Sequence, residues 1–134
     1  MPVTHVLPWI AGLALVAAML LMARGALPDA LRGWVAPAVL AAGFLGFSLV
    51  AASVEGPLGF WPEHTRNLWG NQIWFDLLLA IATSWTLILP RARALKMQAG
   101  WWLLFIVCTG CVGLVAMLAR CLFLEARLPA GARA

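Results

Sequence analysis

The sequence predicts an all-α integral membrane protein: four antiparallel transmembrane helices forming one domain over residues 1–134, with 125–134 a short C-terminal tail. Three observations predict it. Of 134 residues, 64% are hydrophobic and 10% charged. A soluble domain carries about 25% charged residues, so this much apolar surface has to face lipid. Four apolar runs approach the roughly 20 helical residues that cross a hydrocarbon core about 30 Å thick. None alternates polar and apolar residues as a half-buried strand does, and backbone hydrogen bonding in lipid leaves only helices or closed barrels.

The first run, residues 6–23, begins near Met1 in the manner of a signal peptide. It lacks a positive n-region and its apolar stretch outruns an ordinary h-region, so it reads as a retained anchor and first span. Pro8 falls in its first turn, where the missing N–H costs little. Gly25, Pro28 and Gly33 mark the turn into the second span, 33–54, with Pro37 again early in the helix. Gly56, Pro57, Gly59 and Pro62 punctuate the next connection. The third span is expected over 73–89, stopped by Pro90, and Gly100 precedes a fourth over 101–124. Helix two carries small residues at Ala42, Gly43, Gly46, Ser48, Ala51 and Ala52. Cys108, Gly110, Cys111 and Gly113, with Ala116 and Ala119, do the same for helix four. Small residues let membrane helices approach closely, so these two helices are the expected packing partners.

Parity then sets topology. With four spans, both termini and the second loop share one side, and loops one and three share the other. Arg91, Arg93 and Lys96 in the third loop, with Arg24 and Arg32 in the first, outnumber the bases opposite, so these loops are expected in the cytoplasm and both termini in the periplasm. Eight of the nine basic residues are Arg, as a GC-rich bacterial genome would give, which points to a bacterial inner membrane. On this reading the whole net charge of +4 sits on the inner side. No basic stripe or base-reading motif is present, which excludes nucleic acid as partner.

The polar residues crowd into PEHTRNLWGNQIWFD, residues 62–76. Asp76, about a turn into helix three, and Arg120, about a turn before the end of helix four, would sit at one depth in antiparallel helices. The expectation is an interhelical pair; the competing one is that each side chain snorkels to the interface independently. His64, Glu63, Arg66, Trp69 and Trp74 form a candidate interfacial contact set for a lipophilic ligand. The spacing of His and acidic residues lacks the three or four placed ligands of a metal site, so no metal is expected.

Cys108-Thr109-Gly110-Cys111 is a CxxC, the motif beside the quinone site in four-helix oxidoreductases of the disulfide-forming and vitamin K epoxide reductase kinds. Their second, loop-borne cysteine pair has no counterpart here: Cys121 is the only other cysteine. Close helix packing is therefore the expected role. Eight tryptophans and no tyrosine are present. Trp9, Trp34, Trp61, Trp69, Trp101 and Trp102 fall near expected helix ends, as an interfacial belt requires.

From Asn67 to Leu124 the chain resembles a family of small, uncharacterised bacterial multi-span membrane proteins. The resemblance rests on Asn67-Leu68-Trp69-Gly70-Asn71-Gln72 leading to Asp76-Leu77, on Trp85 near a span end, and on the Ala92-Arg93 turn. It continues through Trp101-Trp102 and Thr109…Gly113 to Arg120-Cys121-Leu122-Phe123-Leu124. Where the family carries a prolyl-leucyl pair late in its last span, this chain has Arg120-Cys121. The resemblance implies a multi-span helical fold and no activity. The functional expectation is a non-catalytic accessory subunit packed against other membrane protein subunits and lipid, in electron transfer, photosynthesis or transport. No cofactor is required, although a lipid, quinone or pigment could fill its grooves. The alternative is a small enzyme or carrier holding a quinone- or isoprenoid-like molecule at the outer interface. A small multidrug-type transporter is a third reading, for which Asp76 lies too shallow.

Overall fold

A computed structural model describes residues 3–129, and no strand occurs among them. The described helices are α1 (Val3–Ala23), α2 (Asp29–Arg32), α3 (Val35–Glu55), α4 (Phe60–Thr65), α5 (Leu68–Ala94), α6 (Ala99–Thr109) and α7 (Cys111–Ala126). Three are long and apolar enough to cross a membrane: His5–Ala23, Val35–Glu55 and Leu68–Ala94. The described residues are thus all-helical, with three helices fit to span a membrane, but the fourth expected span is not one helix. The tail beyond Pro129, including Arg133, lies outside the described residues.

The chain divides into two compact units, Met1–Arg32 and Gly33–Ala134. In the first, α1 ends at Ala23 and Gly25 turns the chain at φ 63°. Arg32 then closes the turn on itself. Its guanidinium donates to the carbonyls of Leu27 (2.9 Å) and Gly25 (2.8 Å) and lies 3.4 Å from Asp29. A residue expected to serve topology therefore also satisfies the orphan carbonyls that follow a helix end.

In the second unit, α3 packs most extensively on α7. Its less exposed positions, Ala38, Ala41, Leu45, Ser48 and Ala52, recur at alternating spacings of three and four, which places them on one helical face. The short α4 then turns the chain into α5, which is longer at both ends than expected. It starts at Leu68 because Asn67 caps it, with the Asn67 Oδ1 accepting from the Gly70 N–H at 2.8 Å. It runs through Pro90 to Ala94. Proline removes one intrahelical bond, but Ala92 is fully buried beyond it and Arg91 is paired across to α7, so packing holds the last turn.

The region expected as the fourth span folds into a helical hairpin. Gly110 separates α6 from α7 at φ 59°, ψ −126°, a mirror-β conformation open to glycine and strained for other residues. The Cys121 Sγ lies 3.6 Å from the Met97 Sδ. In one continuous helix, residues 24 apart would be about 36 Å apart. Gly113 sits directly on the backbone of Ile106, where a Cβ would come within 2.9 Å of the Ile106 Cα. α6 therefore leaves the end of α5, reaches the level of Ile81 near the middle of α5, and reverses at Gly110. α7 then returns parallel to α5. The core of this unit is Ala92, Ile106, Leu114, Met117 and Cys121, with Ile81, Trp85, Ile88, Leu95, Met97 and Trp102 packed around it. On the outward faces Leu79, Leu87 and Val107 remain 65%, 74% and 74% exposed, a surface suited to lipid.

Candidate functional site

The hairpin sorts the polar residues of the second unit into two ends. At one end lie α4 and the start of α5, with Glu63, His64, Arg66, Trp69, Trp74 and Asp76. At the other lie the end of α5, the α5–α6 turn and the end of α7, with Arg91, Arg93, Lys96, Arg120, Glu125 and Arg127.

At the first end the structure assembles an aromatic cluster. Trp74, one and a half turns into α5, meets His64 (ring centroids 5.0 Å apart), stacks on Phe60 (5.9 Å) and takes an edge contact with Trp61 (6.4 Å). The fold permits this because Gly70 lets α4 settle onto the first turn of α5: a Cβ there would run into the carbonyls of Glu63 and His64. Sequence reasoning selected His64 and Trp74 but missed Phe60 and Trp61 as their partners. A short helix in a Gly/Pro-rich loop, Phe60–Thr65, is what brings them in. Glu63 pairs with Arg66 at 3.2 Å across one turn, both well exposed, so the pair adds little to stability. Trp69, 72% exposed, stands apart from the cluster.

Asp76 and Arg120 do not pair. No ion pair joins them among the described residues, and the Arg120 guanidinium instead lies 5.4 Å over the Phe123 ring. The cause is the hairpin. An antiparallel fourth span would have brought Arg120 to the level of Asp76. Because α7 runs back beside α5, Arg120 lies near the opposite end, about 15 Å along the axis from Asp76 by helical rise.

The interhelical ion pair that forms is Arg91–Glu125. Arg91 donates through Nε and Nη2 to the two carboxylate oxygens of Glu125. This corrects the parity argument, which put Glu125 on the side opposite Arg91. The described C-terminal residues share an end of the second unit with the third loop. The same end gathers Phe123 between Trp34, edge-on at 5.2 Å, and Arg127, whose guanidinium stands 4.2 Å over the ring.

The hydrogen bonds from Arg91, reinforced by its charge, hold the Glu125 carboxyl below the usual carboxylate range, against partial burial that would raise it. A depressed carboxylate stabilises the fold above its unfolded pKa of about 4.3, and that stabilisation is lost as acid protonates it. Arg91 is 41% and Glu125 29% exposed, so the pair is expected to contribute only about 1 kcal/mol. Glu125→Gln should lower the thermal midpoint at pH 7, and its gap from wild type should close as acid takes the pH below the unfolded value and on through the depressed folded pKa. An unchanged gap between the two proteins across that range would sink the assignment.

Cys108 and Cys111 flank the hairpin tip, the first exposed and the second half-buried, and Cys121 is buried in the core; all three are free. Among the described residues no group of three or more His, Cys, Asp or Glu side chains is placed to hold a metal. The Thr109 hydroxyl donates back to the Phe105 carbonyl at 2.7 Å, occupying the one polar side chain at the tip.

These features define a class: a helical membrane protein with three potential spans, an aromatic cluster at one end and a half-length hairpin carrying a basic end at the other. No family model, curated protein or solved structure matches the chain.

Proposed function

We propose that this protein is a non-catalytic membrane subunit that docks a neighbouring transmembrane helix against α3 within a larger membrane complex. The observation that carries the reading is a face of that helix that no other element of the second unit covers. Opposite the face packed on α7, Gly43 and Gly46 have nothing within 4 Å of a built Cβ. Val39, Phe47 and Val50 around them are 65%, 59% and 61% exposed. Glycines on an apolar helix face let a second backbone approach closely, where van der Waals packing and weak hydrogen bonds hold helices together in lipid.

On this reading the hairpin is re-entrant. α1, α3 and α5 cross a bacterial inner membrane, while α6 and α7 enter from one face and return to it. Within residues 33–129 the hairpin end holds Arg91, Arg93, Lys96, Arg120 and Arg127, against Arg66 alone at the other. The bias supports placing the hairpin end in the cytoplasm.

A second reading is favoured by one specific observation, the stacking of Trp74 with His64 and Phe60. A planar, lipophilic molecule such as a quinone could be held against these rings, with the His64 imidazole as hydrogen-bond partner. One experiment separates the two. The protein is extracted gently from its native membrane, and what accompanies it is identified. The subunit reading expects a stoichiometric set of membrane proteins that is lost when Gly43 and Gly46 are both replaced by Leu. Recovery of the protein alone with a bound lipophilic ring, unaffected by that replacement but lost in Trp74→Ala, supports the second reading and overturns the first.

A further inference from the structure

We infer that the hairpin end carries a binding site for the headgroup of an anionic phospholipid, built from Lys96 and Arg127. Two independent features point there. The first is an open cleft of ≈ 350 Å³ lined by Ala94, Leu95, Lys96, Leu124, Arg127 and Leu128. Its walls are aliphatic and its two charged groups are both cations. Among the described residues neither cation has a carboxylate within ion-pair distance, because Glu125 is engaged by Arg91. Arg127 is held in position by its stacking on Phe123 at 4.2 Å.

The second feature is the backbone of Lys96. The end of α5 closes with the Met97 N–H donating to the Ala92 carbonyl (2.9 Å) and the Lys96 N–H to the Arg93 carbonyl (3.0 Å). This pattern of caps places its next-to-last residue in the left-handed region, where glycine is the usual occupant. Lys96 holds that position at φ 56°, alone among the described non-glycine residues in having a positive φ. A side chain kept where glycine would be more stable calls for a use. Charge at the helix C-terminus does not supply one, since Arg91 and Arg93 already stand in the last turn. The ammonium at the cleft does: a Lys point charge and an Arg fork together suit a phosphodiester, and the aliphatic walls suit the glycerol and upper acyl chains attached to it.

The site lies at the end of the membrane-crossing helix α5, where headgroups are found, and it requires no assumption about the partner of α3. It commits to a phospholipid over free phosphate because four of its six lining residues are Leu or Ala.

The test uses the full-length protein in detergent and native mass spectrometry. Phosphatidylglycerol, phosphatidylcholine or inorganic phosphate is added in separate arms. Wild type is expected to retain phosphatidylglycerol in preference to phosphatidylcholine. Lys96→Gly should weaken that retention about fivefold, the effect of one basic residue near an anionic lipid surface, and Arg127→Gln similarly. The Lys96→Gly protein should at the same time unfold at a higher temperature than wild type, because the strained position is relieved. Loss of lipid together with a gain in stability cannot come from misfolding. Equal retention of the two lipids, unchanged phosphatidylglycerol retention in Lys96→Gly, or displacement of the lipid by millimolar phosphate would each overturn the proposal.

Discussion

Replacing Gly110 with alanine should open the α6–α7 hairpin. The mirror-β conformation at φ 59°, ψ −126° costs a residue with a Cβ about 1–3 kcal/mol. The nearest atom to that Cβ, the Ile81 Cδ1, is 4.0 Å away, so the penalty is one of backbone strain and not of collision. Relief is close at hand: with residue 110 in the right-handed region, 99–126 becomes one helix about 42 Å long, enough to cross a bilayer. Two measurements follow the change. In an otherwise wild-type chain, Met97→Cys should cross-link to Cys121 on oxidation, since the Met97 side chain faces Cys121, its Sδ 3.6 Å from the Cys121 Sγ, and a cysteine sulfur stands one bond nearer its own backbone. Adding Gly110→Ala, or more severely Gly110→Leu, should reduce the yield sharply. A topology reporter fused after Pro129 should lie on the side of the 95–98 turn in wild type and move across in the straightened variant. Full cross-linking in Gly110→Leu would refute the role given to this glycine.

Gly113→Leu should be at least as damaging, for a different reason. A Cβ at this position would lie 2.8 Å from the Thr109 Oγ1, 2.9 Å from the Ile106 Cα and 3.0 Å from the Ile106 N. The hydroxyl can rotate away but the backbone cannot, so α7 has to lift off α6. Alanine alone should cost about 1–3 kcal/mol as overpacking, and leucine should separate the hairpin from the Ile106–Met117–Cys121 core. Gly12→Ala in α1 is the control: nothing in its own unit lies within 4 Å of its Cβ, and a glycine removed from a helix interior stabilises by about 0.5–1 kcal/mol. Thermal unfolding in one detergent should therefore move in opposite directions for the two alanine variants. Equal shifts would mean that Gly113 is not a close contact.

Much of the fold was legible because hydropathy and punctuation act locally. The first two spans fall within a few residues of α1 and α3, bounded by Gly25, Gly33 and Gly56. The pairing of α3 with α7 was expected from their small residues, but the face was not: Ser48 and Ala52 lie on the packed side, whereas Gly43 and Gly46 are turned away from α7. The third span was drawn short at both ends for local reasons that tertiary contacts overrode. Asn67 caps a helix that starts five residues early, and Pro90 is carried inside because Ala92 is buried and Arg91 paired.

The candidate site was only partly legible. His64 and Trp74 stood out as polar and aromatic groups in a greasy chain. Phe60 and Trp61 did not, because aromatic residues near a span end are ordinary belt residues until a short α4 brings their rings against Trp74. The expected Asp76–Arg120 pair failed for one reason, the direction of the last helix. Composition cannot supply that direction: Trp101–Leu124 is as apolar as a crossing helix whether it is straight or folded back at Gly110.

The sequence by itself determined that this is a helical membrane protein, where its first two long helices lie, and which residues are costly enough in lipid to need a partner. Each of these depends on transfer of side chains and backbone groups between water and lipid, which residue type and run length govern. The tertiary structure decided which of these groups find a partner, and which partner it is. One glycine in a mirror-β conformation reverses α7, sends Arg120 to Phe123 and Glu125 to Arg91, and brings Arg127 beside Lys96. Such a reversal depends on whether Ile106 and Gly113 fit against each other, a property of two surfaces in contact that neither run of sequence carries alone.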